Sequence, residues 1–268
     1  MSAPPGHVDR VFITGASSGI GAALAREYAA RGATLGLLAR RRERLDELLI
    51  ELAASRPGQQ RHHIYAVDVT DHAALARAAA DFIQQEGGAD IVIACAGISH
   101  GTLTERLEDQ AVFDAMFATN VSAMPATFAP FIAPMKTRPT PCRLVGIGSV
   151  AGIRGVRGAG AYCASKAAVH SYCESLRLEL RASNIRVVTL VPGYIDTSMT
   201  RNNRFPMPFL MSAERFAARA VAAIARGDSI RFLPWQMGVA ARILRVLPNF
   251  LFDALFSRAP TKQRKGQP

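Results

Sequence analysis

The chain has 268 residues, 49% hydrophobic and 20% charged, enough apolar material for one large α/β core and too much for a disordered chain. Its net charge of +11 raises nucleic-acid binding as an option. The arginines are dispersed, however, and from Arg231 onward seven basic residues (Arg231, Arg242, Arg245, Arg258, Lys262, Arg264, Lys265) face Asp253 alone, with no nucleic-acid motif among them.

Other classes are excluded by pattern. No run reaches the roughly 18 apolar residues of a membrane span. Residues 1–10 hold two prolines and no apolar core, unlike a secretory signal. Cys95, Cys142, Cys163 and Cys173 match neither a zinc site nor a short disulfide framework, so free thiols in a reducing cytoplasm are expected, and no metal.

In chain order, strand-like and helix-like segments alternate almost from the start. Strands are expected at 11–14, 34–39, 63–67, 91–94, 143–148 and 186–191, with a weaker seventh at 230–233. Amphipathic helical stretches lie between them, including 20–31, 43–55 and 72–86. Short connections and right-handed crossovers then predict a doubly wound parallel sheet of about seven strands, with helices on both faces. No linker or internal repeat divides residues 1–268, so one domain is expected. Residues 107–138 are helical by periodicity but carry Pro125, Pro130 and Pro134, and a bend or early end is expected there.

The first strand runs into Thr14-Gly15-Ala16-Ser17-Ser18-Gly19-Ile20-Gly21 and straight into a helix. Glycines at 15, 19 and 21 let the backbone approach a pyrophosphate, and the helix start offers free N–H groups and a positive dipole end. The second strand ends Leu38-Ala39-Arg40-Arg41-Arg42, with no acid for a ribose 2′-hydroxyl. Guanidinium groups suit a 2′-phosphate, which favours NADP over NAD. Arg42 reads instead as solvating the next helix. Asp68 ends the third strand, with Thr70 or Asp71 the better cap for the helix that follows.

Tyr162-Cys163-Ala164-Ser165-Lys166 places a phenol and an ammonium four residues apart, on one helix face. A nearby cation favours phenolate and brings a poor acid/base towards a useful range. Ser149, after the fifth strand, is placed to hold a carbonyl oxygen or to cap the next turn. Asn120, in the proline-bearing helix, satisfies backbone groups or holds a water.

These motifs, in this order from Val11 to Thr197, resemble the short-chain dehydrogenase/reductase family. The resemblance implies a Rossmann-like fold and an Asn–Ser–Tyr–Lys tetrad at Asn120, Ser149, Tyr162 and Lys166. It implies cofactor contacts at Gly15, Ser17, Ser18, Gly19, Ile20, Gly21, Arg40, Arg41, Asp68, Val69, Cys95, Ala96 and Gly97. Tyr162 and Lys166 would also meet the cofactor, together with Pro192, Gly193, Ile195 and Thr197. One departure stands out: the family commonly has asparagine where this chain has Ala94-Cys95-Ala96-Gly97.

Residues 201–258 read as a substrate lid and a C-terminal apolar helical attachment. The run 205–211 either closes over the site or packs as a connection. Residues 235–258 mix Trp and Phe with arginine, which suits a membrane surface or a subunit boundary. Residues 259–268 read as a disordered basic tail. The expected function is NADP(H)-dependent reduction of a hydrophobic ketone by a homodimer or homotetramer that is cytoplasmic, either free or peripheral to a membrane. The rivals are a catalytically silent NADP-binding sensor or scaffold, and a nucleotide-sugar epimerase or dehydratase.

Overall fold

A computed structural model of the chain describes residues 9–55, 61–201, 203, 205–257 and 261–264. The N-terminal stretch 1–8 and tail positions 259, 260 and 265–268 therefore lie outside the described residues.

Seven strands form one parallel sheet: β1 (Arg10–Thr14), β2 (Thr34–Ala39), β3 (His62–Ala66), β4 (Ile91–Ala94), β5 (Cys142–Ile147), β6 (Ile185–Pro192) and, after two short strands, β9 (Ile230–Leu233). Their order is β3-β2-β1-β4-β5-β6-β9, so the chain reverses direction across the sheet between β1 and β4. Each expected strand is present, with ends shifted by a residue at most.

The inner strands are nearly continuous apolar runs because both faces are covered. The edge strands differ: β3 is His-His-Ile-Tyr-Ala, and β9 leaves Ile230 and Arg231 exposed. Successive side chains point to opposite faces. Val11 and Ile13 join one core with Leu35, Leu37 and residues of α1 (Gly19–Ala30), α2 (Arg42–Ser55) and α7 (Ala213–Arg226). Phe12 and Leu38 join the other, with α3 (His72–Glu86), α5 (Ala123–Lys136) and α6 (Gly160–Glu179). The Phe12 ring packs 5.5 Å from Phe82 and 5.0 Å from Phe131. Gly36 makes room for that cluster, since a Cβ there would meet the Phe12 ring at 2.6 Å.

The proline-bearing segment does not break. The helix α4 (Gln110–Phe117) passes through a π-helical turn at Ala118–Ser122 into α5, which holds Pro130 and Pro134. We attribute the wide turn to Pro125, whose missing N–H and bulky ring are incompatible with a regular bond to the carbonyl four residues back.

Beyond β6, the short strands β7 (Ile195–Asp196) and β8 (Met211–Ser212) pair and pin the base of the 197–210 loop. Helices α8 (Trp235–Val246) and α9 (Asn249–Phe256) form the apolar attachment. No helix among the described residues is long and apolar enough to cross a membrane.

Candidate active site

Two clefts open at the carboxyl ends of the strands, where open α/β sheets bind ligands. The first, of about 310 Å³, runs along the glycine turn. Gly15 and Gly19 adopt φ of 71° and 54°, and a Cβ on Gly21 would fall 2.2 Å from the Gly15 carbonyl oxygen. Ser18 precedes α1 without capping it through its side chain, so the positive helix end faces the cleft.

Arg41 Nη2 donates to Ser17 Oγ at 3.1 Å and to Ser18 Oγ at 3.0 Å. Arg40 Nη1 lies 3.6 Å from Asp68 Oδ2. Arg42 turns away to pair with Asp46 along α2. Asp68 accepts bonds from the Thr70 amide and hydroxyl, and Asp71 caps α3. Uncapped helix end, tight glycine turn and paired guanidinium groups together fit a phosphate-bearing dinucleotide.

Ser17, Ser18, Ile20, Val69, Cys95, Ala96, Gly97, Pro192 and Thr197 also line this cleft, as do Tyr162 and Lys166. Thr14 Oγ1 accepts the Cys95 and Ala96 amides at 3.1 and 3.3 Å. That threonine oxygen holds the β4 turn although the family's asparagines are missing. Burial pushes the Cys95 thiol up to about 12, so it stays protonated.

Neither Gly193 nor the Ile195 side chain is among the residues lining this cleft. Ile195 is buried in the sheet core, and Gly193 faces the second cleft, where a Cβ would strike Met237 at 2.6 Å. The unforeseen lining includes Ala39, Val67, Ile98, Thr119, Ser198 and Met199. Only their place beside the signature residues, seen in three dimensions, could have found them.

The second cleft, of about 370 Å³, is mostly apolar and is roofed by Met237, Ala240, Ala241 and Leu244 of α8 and by Phe252 and Phe256 of α9. Phe205 and Pro206 of the 205–211 run also line it, with the Phe205 ring 6.2 Å from Tyr194. Phe209 and Leu210 of the same run point outward. Arg154 buckles the roof to the turn after Ser149. Its Nη1 donates to the Leu244 and Leu247 carbonyls at 3.0 and 2.9 Å, and its guanidinium lies 4.1 Å from the Phe252 ring centroid.

Tyr162 and Met199 border both clefts. Burial pushes the Tyr162 phenol up, and a hydrogen bond with Ser149 works against this. Ser149 Oγ also accepts the Ala151 amide at 3.1 Å, so the capping reading of this serine holds as well. Lys166, 6% exposed, donates from Nζ to the Ile147 carbonyl at 2.8 Å, and Nζ sits 5.9 Å from the Tyr162 ring centroid. Burial lowers the Lys166 pKa to about 8.

Asn120, 2% exposed in the π turn, is saturated by protein groups. It accepts the Ile98 amide at 2.8 Å and donates to the Ile98 carbonyl and to Ser165 Oγ, both at 3.0 Å. The backbone-satisfying role is the one the geometry displays. A phosphate-ready cleft beside Tyr162 and Lys166, at the carboxyl ends of a parallel sheet, defines a dinucleotide-binding type of α/β site.

The comparisons agree: the family model for short chain dehydrogenases matches residues 9–207, and the chain belongs to that family of oxidoreductases. It is 37% identical over 247 residues to an uncharacterized oxidoreductase of Myxococcus xanthus, covering 92% of this chain and 96% of that one. It is 33% identical over 272 residues to the bovine (Bos taurus) dehydrogenase/reductase SDR family member 7B, covering 96% and 83%. A short-chain dehydrogenase from Sphingobium yanoikuyae, solved with NADPH, superposes with a TM-score of 0.76 at 26% identity over 97% of this chain and 98% of that one.

Proposed function

We propose that this chain is an NADP(H)-dependent carbonyl reductase acting on an apolar ketone. One observation carries the reading: Tyr162 stands between a phosphate-ready cleft and an apolar one, with Ser149 and Lys166 beside it. The glycine turn and α1 would hold the pyrophosphate, Arg40 and Arg41 the 2′-phosphate, and Lys166 the nicotinamide ribose.

When bound, a reduced nicotinamide would supply the hydride for the carbonyl carbon. Ser149 Oγ orients the carbonyl oxygen, and Tyr162 delivers its phenolic proton to that oxygen, giving a secondary alcohol. Solvent then returns a proton to Tyr162. A phenol raised by burial favours this reductive direction, because it holds its proton until the oxygen bears charge. Lys166 brings positive charge near the phenol as the proton leaves. Asn120 clamps Ile98 and thereby shapes the loop that borders the cleft. The roof of α8 and α9 and the Phe205 side chain exclude water from the reacting carbon.

The test is cofactor oxidation, followed by loss of its absorbance, over ketones graded in chain length, with NADPH and NADH in parallel. Turnover rising with apolarity and preferring NADPH supports the reading. Tight NADPH binding without turnover of any ketone would replace it with the silent sensor or scaffold.

Trp235, Val239, Ile243 and Val246 form an outward stripe on α8, continued by Phe250 and Leu255 of α9. This face fits a second copy of the chain or a membrane surface beside Arg242 and Arg245. Sedimentation alone and with anionic vesicles separates the two.

A further inference from the structure

The last described segment, residues 261–264, does not form a disordered tail. It is strapped across the mouth of the apolar cleft. The Gly101 amide donates to the Gln263 carbonyl at 2.9 Å, and Gly101 pairs in parallel with Arg264. Arg264 grips Asp109 through Nε–Oδ2 at 2.8 Å and Nη2–Oδ1 at 2.9 Å, and reaches Glu108 Oε1 at 2.9 Å. Arg264 holds the Asp109 carboxyl below its usual range, and the Glu108 carboxyl is held low first by its own backbone amide and then by Arg264.

Two glycines make the channel for the strap. A Cβ on Gly101 would lie 2.1 Å from the Lys262 carbonyl oxygen, and one on Gly158 would lie 2.8 Å from Thr261 Cβ.

The strap delivers Lys262 into the cleft. Its Nζ donates to Ser99 Oγ at 2.7 Å and sits 5.7 Å from the Tyr162 ring centroid. Among the described residues, three cations, Lys262, Arg154 and Arg157, line this cleft, and no Asp or Glu does. The arginines are engaged: Arg154 with Leu244, Leu247 and Asn249, and Arg157 with the Ser257 carbonyl. Lys262 bonds one neutral hydroxyl and makes no ion pair among the described residues. An ammonium offers three donors, and a half-buried charge without a counterion is unfavourable. Burial alone lowers its pKa to about 8, as expected for a cation lacking its anion.

We propose that Lys262 is an anion subsite of the substrate chamber, and that the substrate is an apolar ketone bearing a carboxylate within a few bonds of the reacting carbonyl. The carboxylate takes the free donors of Nζ as a charge-assisted pair, while the apolar chain lies under α8 and α9. This assignment rests on the reductase reading of Tyr162.

The experiment uses the full chain loaded with cofactor. Oxodecanoates with the ketone at C2, C4 or C6 are compared with their methyl esters, both for kcat/KM with NADPH and for equilibrium binding by calorimetry with NADP⁺ present. For at least one ketone position, the acid is expected to be favoured over its ester by about tenfold or more in both readouts. Lys262→Met is expected to abolish that preference and Lys262→Arg to retain part of it. Equal binding of acid and ester, binding of neither, or a preference that survives Lys262→Met each overturns the subsite. Acid-selective binding lost in Lys262→Met, but without any turnover, upholds the subsite and counts against the reductase reading alone.

Discussion

Lys166 Nζ donates to the main-chain carbonyl of Ile147 at 2.8 Å, tying the middle of α6 to the carboxyl end of β5. Ser149 follows two residues after Ile147, and Tyr162 precedes Lys166 by one helical turn. A single bond therefore fixes the spacing of the phenol, the serine and the ammonium. Buried as it is, this carbonyl would otherwise be left for water or cofactor to satisfy.

Removing the phenol oxygen tests the proton assignment. Tyr162→Phe should lower turnover about 10²- to 10⁴-fold while leaving NADPH affinity within about threefold. Stopped-flow turnover and fluorescence titration of the cofactor read the two quantities separately. Retained turnover would remove Tyr162 from the mechanism.

Cofactor choice should move with Arg41. Its bonds to Ser17 and Ser18 hold the guanidinium over the start of α1. Arg41→Ala should reduce kcat/KM for NADPH roughly tenfold to a hundredfold and that for NADH far less, since the 2′-phosphate loses a charged partner whereas the turn loses only two hydroxyl contacts. An equal fall for both cofactors would show that Arg41 serves the turn and not the phosphate.

Acid stability should carry the mark of His170. Burial first, then Lys166 and Arg245, push its pKa from 6.5 down to about 4. The ring stays neutral in the fold, and its Nε2 accepts the Ser149 amide at 3.3 Å. The unfolded chain takes up a proton near pH 6.5, the folded chain only near 4. Stability is thus complete above pH 6.5 and falls as pH drops towards 4, by on the order of 3 kcal/mol from this residue. His62, also lowered by burial, acts in the same direction. Denaturant melts at pH 7.5, 6 and 5 should show the decline, and His170→Gln should flatten it. An unchanged slope in that variant would rule out His170 as the source.

At the opposite end of the sheet, Asp90 joins Arg10 and Arg138. Arg10 donates from its amide at 2.9 Å and from Nε at 3.0 Å to Oδ2, and Arg138 Nη2 bonds Oδ1. Asp90 is 3% exposed. Asp90→Ala would strand two guanidinium groups and should destabilise the fold by about 3–5 kcal/mol. The melting temperature would fall by roughly 10 °C, with kcat of the remaining folded protein unaltered. A loss of activity without loss of stability would contradict this purely structural role.

What the sequence made legible was local. Buried strands such as 186–191 announce themselves as unbroken apolar runs, and the glycine turn sits between a strand and a helix as its chemistry requires. Tyr162 and Lys166 share a face because the helix period brings them together. The π turn was visible only as a proline conflict, not as a shape. Gly193 and Ile195 show the limit of a motif: it fixes their order in the chain, yet Gly193 borders the apolar cleft while the Ile195 side chain joins the core. Lys262 and Arg264 were beyond reach, since their partners Ser99 and Asp109 lie 163 and 155 residues away. No periodicity spans such a separation, and a short basic stretch reads as solvated until its acids are seen.

The strap also orders events during synthesis. The walls of the nucleotide cleft are drawn from residues 15–199, whereas the roof and strap of the apolar cleft come from residues 237–262. A chain emerging from the ribosome therefore presents every wall residue of the nucleotide cleft some 60 residues before it presents the strap of the apolar one.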